Sequence, residues 1–472
     1  MASQASGSVR AEALAHPTTM SPASTTIDWG EIGRDRRNPS QPGPLDGRVI
    51  VRFAHAFETG GGMERYLDDL DRSLLARSAA TIVRLYVGSG SRSLAPHTET
   101  IGLGSLVKVP LALPTGENLE TPSESKRPGI PWKRLVRDRI LYNPLIWHLL
   151  IKWWLASRRI PRRPGQLVGA GRTVAELMRQ HHVDLIMLHF FGTADADEIV
   201  LEARQSGTPF ALLNHYSNDQ FLNLSVRKHT MLASGIAGVN GLGLPKFVRR
   251  DFCNLSDGID VDFFRPSMAR PPSGAPALPL VLLPARVVRT KGHLDLVKAA
   301  AALGRDGIAF AIGFAGRADS PSFTDELRRA IIQFGLVNHV QFLGELSVER
   351  LRDWYGASAL VALPTYHHEG LGRVSLEAQA MQLPIIAYAT GGVAEGIISG
   401  QTGYLVKTGD TDGLSLRLRE LLVDAPKRKA MGRAGRQWVE ERFSLGALAH
   451  RHEQFYLRVI ASRKEGAFPI KS

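Results

Sequence analysis

The apolar run Ala359-Leu-Val-Ala-Leu363 gives way, through a loop that carries Glu369, Gly370 and Gly372, to a helix-like pattern containing Glu377. This succession constrains the chain more than any other feature, because a short run without polar interruption suits a strand buried on both faces, as in a parallel α/β sheet. In such sheets ligands bind beyond the carboxyl ends of the strands. The helix that follows offers unpaired N–H groups and a positive dipole end to an anion. Gly370 and Gly372 remove side chains where a phosphate must approach the backbone. Glu369 and Glu377 cannot both neutralise that phosphate, so they suit sugar and ribose hydroxyls, from which a carboxylate accepts hydrogen bonds.

The positive charge that a diphosphate requires stands at the end of a second strand-like run. Leu280-Val-Leu-Leu-Pro-Ala285 reads as buried, Arg286-Val-Val-Arg-Thr-Lys291-Gly292 follows it, and a helical stretch covers Leu294 to Leu303. Arg-x4-Lys-Gly after a strand, then Glu-x7-Glu, then Gly391-Gly-x-x-Glu395 resembles the nucleotide-binding half of the retaining GT-B enzymes of glycosyltransferase family 4. The spacing Glu-Gly-Leu-x-Arg, with Arg373, is similar to that of the polysaccharide-assembly members. The resemblance covers roughly residues 48 to 445. It implies an α/β protein of two Rossmann-like domains facing each other across a cleft, with a C-terminal helix returning to the first.

The same resemblance assigns roles. Arg286 and Lys291, with the amides near Gly372, would stabilise the departing diphosphate. Glu369 would hold the sugar's hydroxyls and Glu377 those of the ribose, while Gly370, Leu371, Gly372, Arg373 and Gly316 would surround the nucleotide. In the first half, Arg48 to His55 is a strand candidate running into Glu58-Thr-Gly60-Gly61-Gly62-Met-Glu64, and Tyr66 to Leu75 has helical periodicity. Gly61 and Gly62 would then face the transferred sugar. A glycine-rich turn alone is a weak signal, but Gly60-Gly-Gly-Met-Glu lacks the Gly-x-Gly-x-x-Gly spacing of a dinucleotide oxidoreductase. Asn254-Leu-Ser-Asp257-Gly-Ile-Asp260 resembles the family's Asn-Gly-Ile-Asp segment, with Asp257 where Asn is usual.

Two further departures concern local geometry. Gln382 stands where relatives carry Gly at the end of the Glu-x7-Glu helix, and a left-handed cap there costs Gln about 1 kcal/mol. Gly372 stands where close relatives often have Pro. Neither touches Arg286, Lys291 or the two glutamates.

Histidines end two further strand-like runs, His189 after Val183 to Leu188 and His215 after Phe210 to Asn214. Both could point into the cleft. The resemblance aligns His215 with a histidine that contacts the transferred sugar; the alternative for either is a satisfied structural histidine. His367 and His368 line the loop. Asp195-Ala-Asp197 and Asp260-Val-Asp262 imitate a metal-binding pair, but Asp195 to Glu198 suits the cap of a helix starting near Ile199, and no metal is assigned.

At 472 residues, 44% of them apolar, two domains are expected. Residues 1–45 read as a disordered leader, 46–265 as the acceptor domain, and the proline-rich 266–279 as a linker. Residues 280–445 read as the nucleotide-sugar domain and 446–472 as a terminal helix and tail. The leader holds no apolar core of the kind a signal peptide needs. A single cysteine, Cys253, excludes an internal disulfide and favours a reducing cytoplasm.

The net charge of +13 is concentrated rather than spread. Between Lys126 and Arg163 lie eleven basic residues and one acid, which is ten of the thirteen net charges. Within that segment Ile140 to Ala156 is aromatic and apolar but is broken by Asn143, Pro144, His148 and Lys152. That suits a helix lying at a membrane interface better than a span of about 20 apolar residues. The expected partners are a UDP- or GDP-hexose donor, a glycan or polyprenyl-lipid-linked acceptor and an anionic membrane surface, with no nucleic acid and no further cofactor. The expected activity is hexose transfer with retention in exopolysaccharide or surface-glycan synthesis, in the cytoplasm or on the inner face of its membrane. A sugar epimerase or phosphorylase of the same fold, or a scaffold without activity, are the alternatives.

Overall fold

The computed structural model describes residues 43–55, 62–87, 97–111, 170–189, 191–215, 224–241, 244, 248, 252–368 and 370–462. Residues 1–42 of the expected leader, the basic aromatic segment 126–163, Gly61 and Glu369 therefore lie outside the described residues, while Leu45, the last residue of that leader, is buried in the first core.

The first domain runs β1 (Val49–His55), α1 (Gly62–Leu75), β2 (Thr81–Val87), β3 (His97–Ile101), β4 (Gly104–Leu111), α2 (Ala170–Gln180) and β5 (Leu185–Leu188). It continues with α3 (Ala194–Ser206), β6 (Phe210–Asn214), α4 (Leu224–Leu232), β7 (Gly235–Gly238) and β8 (Phe252–Asn254). The strands form one sheet in the order β3-β4-β2-β1-β5-β6-β7-β8. Only β3 is antiparallel to its neighbour. Every residue of β5 and β6 is buried, as a strand between two helical layers requires.

The second domain runs β9 (Leu280–Leu283), α5 (His293–Arg305), β10 (Ala311–Ala315), α6 (Pro321–Gln333), β11 (Val340–Gly344), α7 (Val348–Gly356), β12 (Leu360–Leu363), α8 (Arg373–Ala380), β13 (Ile385–Tyr388), β14 (Gly403–Val406), α9 (Thr411–Val423) and α10 (Ala425–Phe443). Its six parallel strands are ordered β11-β10-β9-β12-β13-β14. The order reverses at β9 and β12. That is the switch point beyond which an open parallel sheet binds its ligand, and both charged loops singled out in the sequence follow it.

The chain then crosses back. Ile259 N–H donates to Phe443 O at 2.8 Å, so the outgoing and returning crossings run side by side. The last helix, α11 (Leu445–Ala461), buries Leu448, Phe455, Tyr456 and Val459 among Ile50, Leu67 and Leu70 of the first domain. The expected return of the terminal helix is thus what the fold has, and the first core is incomplete without it.

Gln382 has φ 59°, and Leu383 N–H closes the turn on Ala378 O at 3.0 Å, the left-handed cap expected there. The helix expected near Ile199 instead starts at Ala194, where Thr193 Oγ1 accepts from Ala196 N–H. Asp195 and Asp197 therefore sit inside the first turn and do not precede it. A neutral hydroxyl took the cap because the acids also favour the first turn, where they meet the dipole.

Candidate active site

Beyond β9 the chain turns through Arg286 and a short 3₁₀ turn, Arg289–Lys291, that ends on Gly292 at φ 74°. A Cβ on Gly292 would stand 1.9 Å from Pro364 O. Glycine thus lets the loop after β9 lie directly on the loop after β12, and this contact brings both charged segments to one pocket. The pocket holds about 210 Å³ and is lined by Arg286, Lys291, Thr365, Gly372, Val374 and Val393 among others. Gly316 does not line it. A Cβ there would meet Ala285 O at 2.2 Å, so Gly316 permits the close backbone approach that supports Arg286.

The Arg286 guanidinium is mostly exposed and donates to Asp319 Oδ2 at 3.0 Å, while Arg317 Nε holds the other oxygen at 2.5 Å. These two bonds, Arg317's first, keep the Asp319 carboxyl below its usual range. An anion is therefore already held at the pocket rim by the residue expected to meet a diphosphate.

Helix α8 begins at Gly372, whose φ of 79° a proline cannot adopt. Its fifth residue, Glu377, is only 1% exposed. Tyr355 O–H donates to Glu377 Oε2 at 3.0 Å, and burial followed by that carboxylate raises the tyrosine well above its ordinary value. Glu377 Oε1 is buried with no hydrogen-bond partner among the described residues, and the nearest cation, Arg65 Nη1 of α1, is 3.7 Å away. A buried carboxylate oxygen without a donor is costly, and a ligand hydroxyl is the group that would complete it.

The first domain meets this loop closely. Leu371 is buried, and a Cβ on Gly370 would lie 2.6 Å from His215 O. Gly62 is the first residue of α1, with its backbone at the helix N-terminus. His215 lies at the carboxyl end of β6. Its Nε2 is 2.8 Å from His189 Nδ1, and the edge of Tyr66 packs on its ring at a centroid distance of 4.9 Å. Burial, reinforced by Arg52, pushes the His215 imidazole down to about 3, and burial and His215 itself hold His189 well below its ordinary value. Both rings are neutral at pH 7.

Arg373 is placed differently from its expected role at the nucleotide. Its Nη2 donates to Asp69 Oδ2 of α1 at 2.7 Å, and its Nη1 to Asp257 Oδ1 at 3.2 Å and Gly258 O at 3.0 Å. The guanidinium is spent on joining the domains. Asp257, acidic where Asn is usual, supplies half of that pairing, so the departure and the arginine explain each other.

One cross-domain residue was not singled out from the sequence: Arg65, whose only signal was its place just after the glycine loop. Glu395, the last residue of the Gly-Gly-x-x-Glu motif, also reaches the first domain, its oxygens accepting from Gly241 N–H at 2.7 Å and Asn254 Nδ2 at 2.8 Å. Of the acidic pairs, Asp197 is occupied by His229 Nε2 at 2.6 Å and Lys228 Nζ at 2.5 Å, and Asp260 Oδ1 accepts from Asp262 and Phe263 N–H. His367 and His368 are exposed in the loop.

Residues 270–438 match the family described as glycosyl transferases group 1. A GDP-mannose-dependent alpha-(1-6)-phosphatidylinositol monomannoside mannosyltransferase of Mycobacterium tuberculosis is 27% identical over 329 residues, 64% of this chain and 83% of that protein. Among solved structures, sucrose-phosphate synthase from Thermosynechococcus elongatus superposes with a TM-score of 0.62 at 19% identity, over 88% of this chain and 100% of that one. Anabaena Alr3699/HepE in complex with UDP and glucose does so at 0.57 and 17%, over 86% and 98%.

Proposed function

We propose that this glycosyltransferase, whose residues 270–438 form a group 1 domain on a GT-B fold, moves a hexose from UDP or GDP to a hydroxyl of a glycan or polyprenyl-lipid-linked acceptor with retention of the anomeric configuration. The observation that carries the reading is the pocket in which Arg286 and Lys291 face the mouth of α8, near a buried Glu377 whose Oε1 lacks a donor.

The chemistry follows from that arrangement. The bond between C1 of the sugar and the β-phosphate oxygen breaks, and charge accumulates on the diphosphate. Arg286, Lys291 and the backbone N–H groups at the start of α8 stabilise it as it forms. Glu377 accepts from the ribose hydroxyls, and Glu369 and His215 meet the sugar. The acceptor oxygen attacks C1 on the face the diphosphate leaves, and its proton passes to the departing phosphate oxygen. No nucleophilic side chain enters.

A lipid-linked acceptor is supported by the mannosyltransferase relative, whose name specifies a phosphatidylinositol acceptor, and by the ten net positive charges between Lys126 and Arg163. Basic side chains near an anionic leaflet contribute about 1 kcal/mol each. No described helix is long and apolar enough to cross a membrane. The reading places the enzyme on the cytoplasmic face of its membrane, in exopolysaccharide or surface-glycan assembly.

Purified protein incubated with UDP-, GDP- and ADP-hexoses, on vesicles with and without anionic lipid that carry polyprenyl-linked acceptors, tests this. Sugar should appear on the lipid from one UDP- or GDP-donor, faster on anionic vesicles. Free epimer or sugar phosphate as the only product would contradict the assignment, and equal rates on both vesicles would remove the membrane component.

A further inference from the structure

We infer that His189 is a positioning residue that locks His215 into the tautomer carrying its proton on Nδ1, so that the His215 ring offers the transferred sugar a hydrogen-bond donor and never an acceptor. The inference rests on the reading that His215 meets that sugar.

The Nδ1–Nε2 separation of 2.8 Å places one proton between the two rings. Neutral imidazole carries its proton on one nitrogen and a lone pair on the other, so two assignments exist. If His215 donated from Nε2, His189 would accept at Nδ1 and hold its own proton at Nε2. That Nε2 is buried and has no hydrogen-bond partner among the described residues. An orphaned, buried N–H is among the rarest features of folded proteins, and it would stand in a residue that is 2% exposed. In the opposite assignment His189 donates from Nδ1, and only a lone pair is left at the buried Nε2. The second assignment avoids the orphaned donor.

Its consequence lies on the other ring. With Nε2 of His215 accepting, the proton must sit on Nδ1, the nitrogen nearer the backbone, and the His215 carbonyl stands against Gly370 of the donor loop. The rings are within 20° of parallel, and the edge of Tyr66 closes on His215 at an interplanar angle of 79°, so rotation to exchange the nitrogens would cost both contacts. Neither histidine needs a charge for this arrangement, and burial keeps both neutral. Sequence alone shows two histidines at strand ends; the pairing of β5 with β6 makes them partners.

Full-length protein labelled with ¹⁵N-histidine gives the tautomer directly from long-range proton–nitrogen correlations, with His215 assigned by its loss in His215→Gln. The wild type should show the proton on Nδ1 of His215, and His189→Leu should convert the ring to a mixture or to the Nε2–H form. With the nucleotide-sugar donor, His189→Leu should lower kcat/KM about tenfold, the effect of losing one buried hydrogen bond. His189→Asn, whose amide N–H can stand near the Nδ1 position, should recover most of it. An Nε2 proton on wild-type His215, or equal losses in the Leu and Asn variants, would overturn the inference. His215→Ala with undiminished kcat/KM would instead remove the sugar contact beneath it, whatever the tautomer spectra show.

Discussion

Replacing Lys291 with Ala lowers kcat by about 10² to 10³ fold with saturating donor and acceptor, by analogy with the loss of one oxyanion-hole donor from an active site. Lys291 closes the 3₁₀ turn after β9 and lines the pocket beside Arg286, and in the proposed mechanism its ammonium would meet the diphosphate as it gains charge. Its effect therefore falls on the transition state more than on binding, and kcat should drop further than KM rises. The turn itself is held by the backbone, through Lys291 N–H on Val288 O at 3.1 Å and Gly292 N–H on Arg289 O at 3.2 Å, so the melting temperature should change little. Initial rates of Lys291→Ala within a few fold of the wild type would remove the residue from the mechanism.

The second large effect is on stability. Arg373→Met should cost about 3 to 5 kcal/mol in denaturant unfolding at neutral pH, because it strands two carboxylates that share one buried guanidinium. Burial already raises both Asp69 and Asp257 above their ordinary 3.8, against the pull of Arg373 in each case. A carboxyl with a raised folded value binds its proton more tightly in the folded state, so its contribution is favourable at low pH and is lost as pH rises through that value. Removing Arg373 pushes both values further up. The deficit of the variant should accordingly be greatest near pH 7 and shrink as pH falls toward the carboxyl range. Adding Asp257→Asn to Arg373→Met should recover part of the loss; a double variant no more stable than the single one would show that the pairing with Asp257 is not what Arg373 supplies.

These two residues mark where sequence reading succeeds and where it stops. Arg286, Lys291 and Gly372 line one pocket, a placement legible because the loops that carry them follow short, fully apolar runs, and such a run fixes where a parallel strand ends and hence which loops reach the cleft. Gln382 was legible through the resemblance, since a glycine usual at a helix end marks a left-handed cap whatever residue replaces it. Arg373 was not. Its partners lie 304 and 116 residues away, and nothing in the local pattern says that α1 and the crossing segment will converge on the start of α8. The same holds for Arg65 near Glu377 and for the partners of Glu395, Gly241 and Asn254, which depend on how two separately built sheets face each other. The start of α3 was misjudged for a different reason: Thr193 and the acids after it offer competing caps, and only the backbone decides among them.

The catalytic proposal depends on leaving-group stabilisation and front-face attack, with the sugar delivered on the side the diphosphate vacates. Proton NMR of the glycoside formed from an anomerically pure UDP- or GDP-hexose tests both at once. The product should carry the donor's own anomeric configuration, and none should form with Lys291→Ala on the timescale of wild-type completion. An inverted anomer, or transfer by Lys291→Ala at the wild-type rate, would contradict the account.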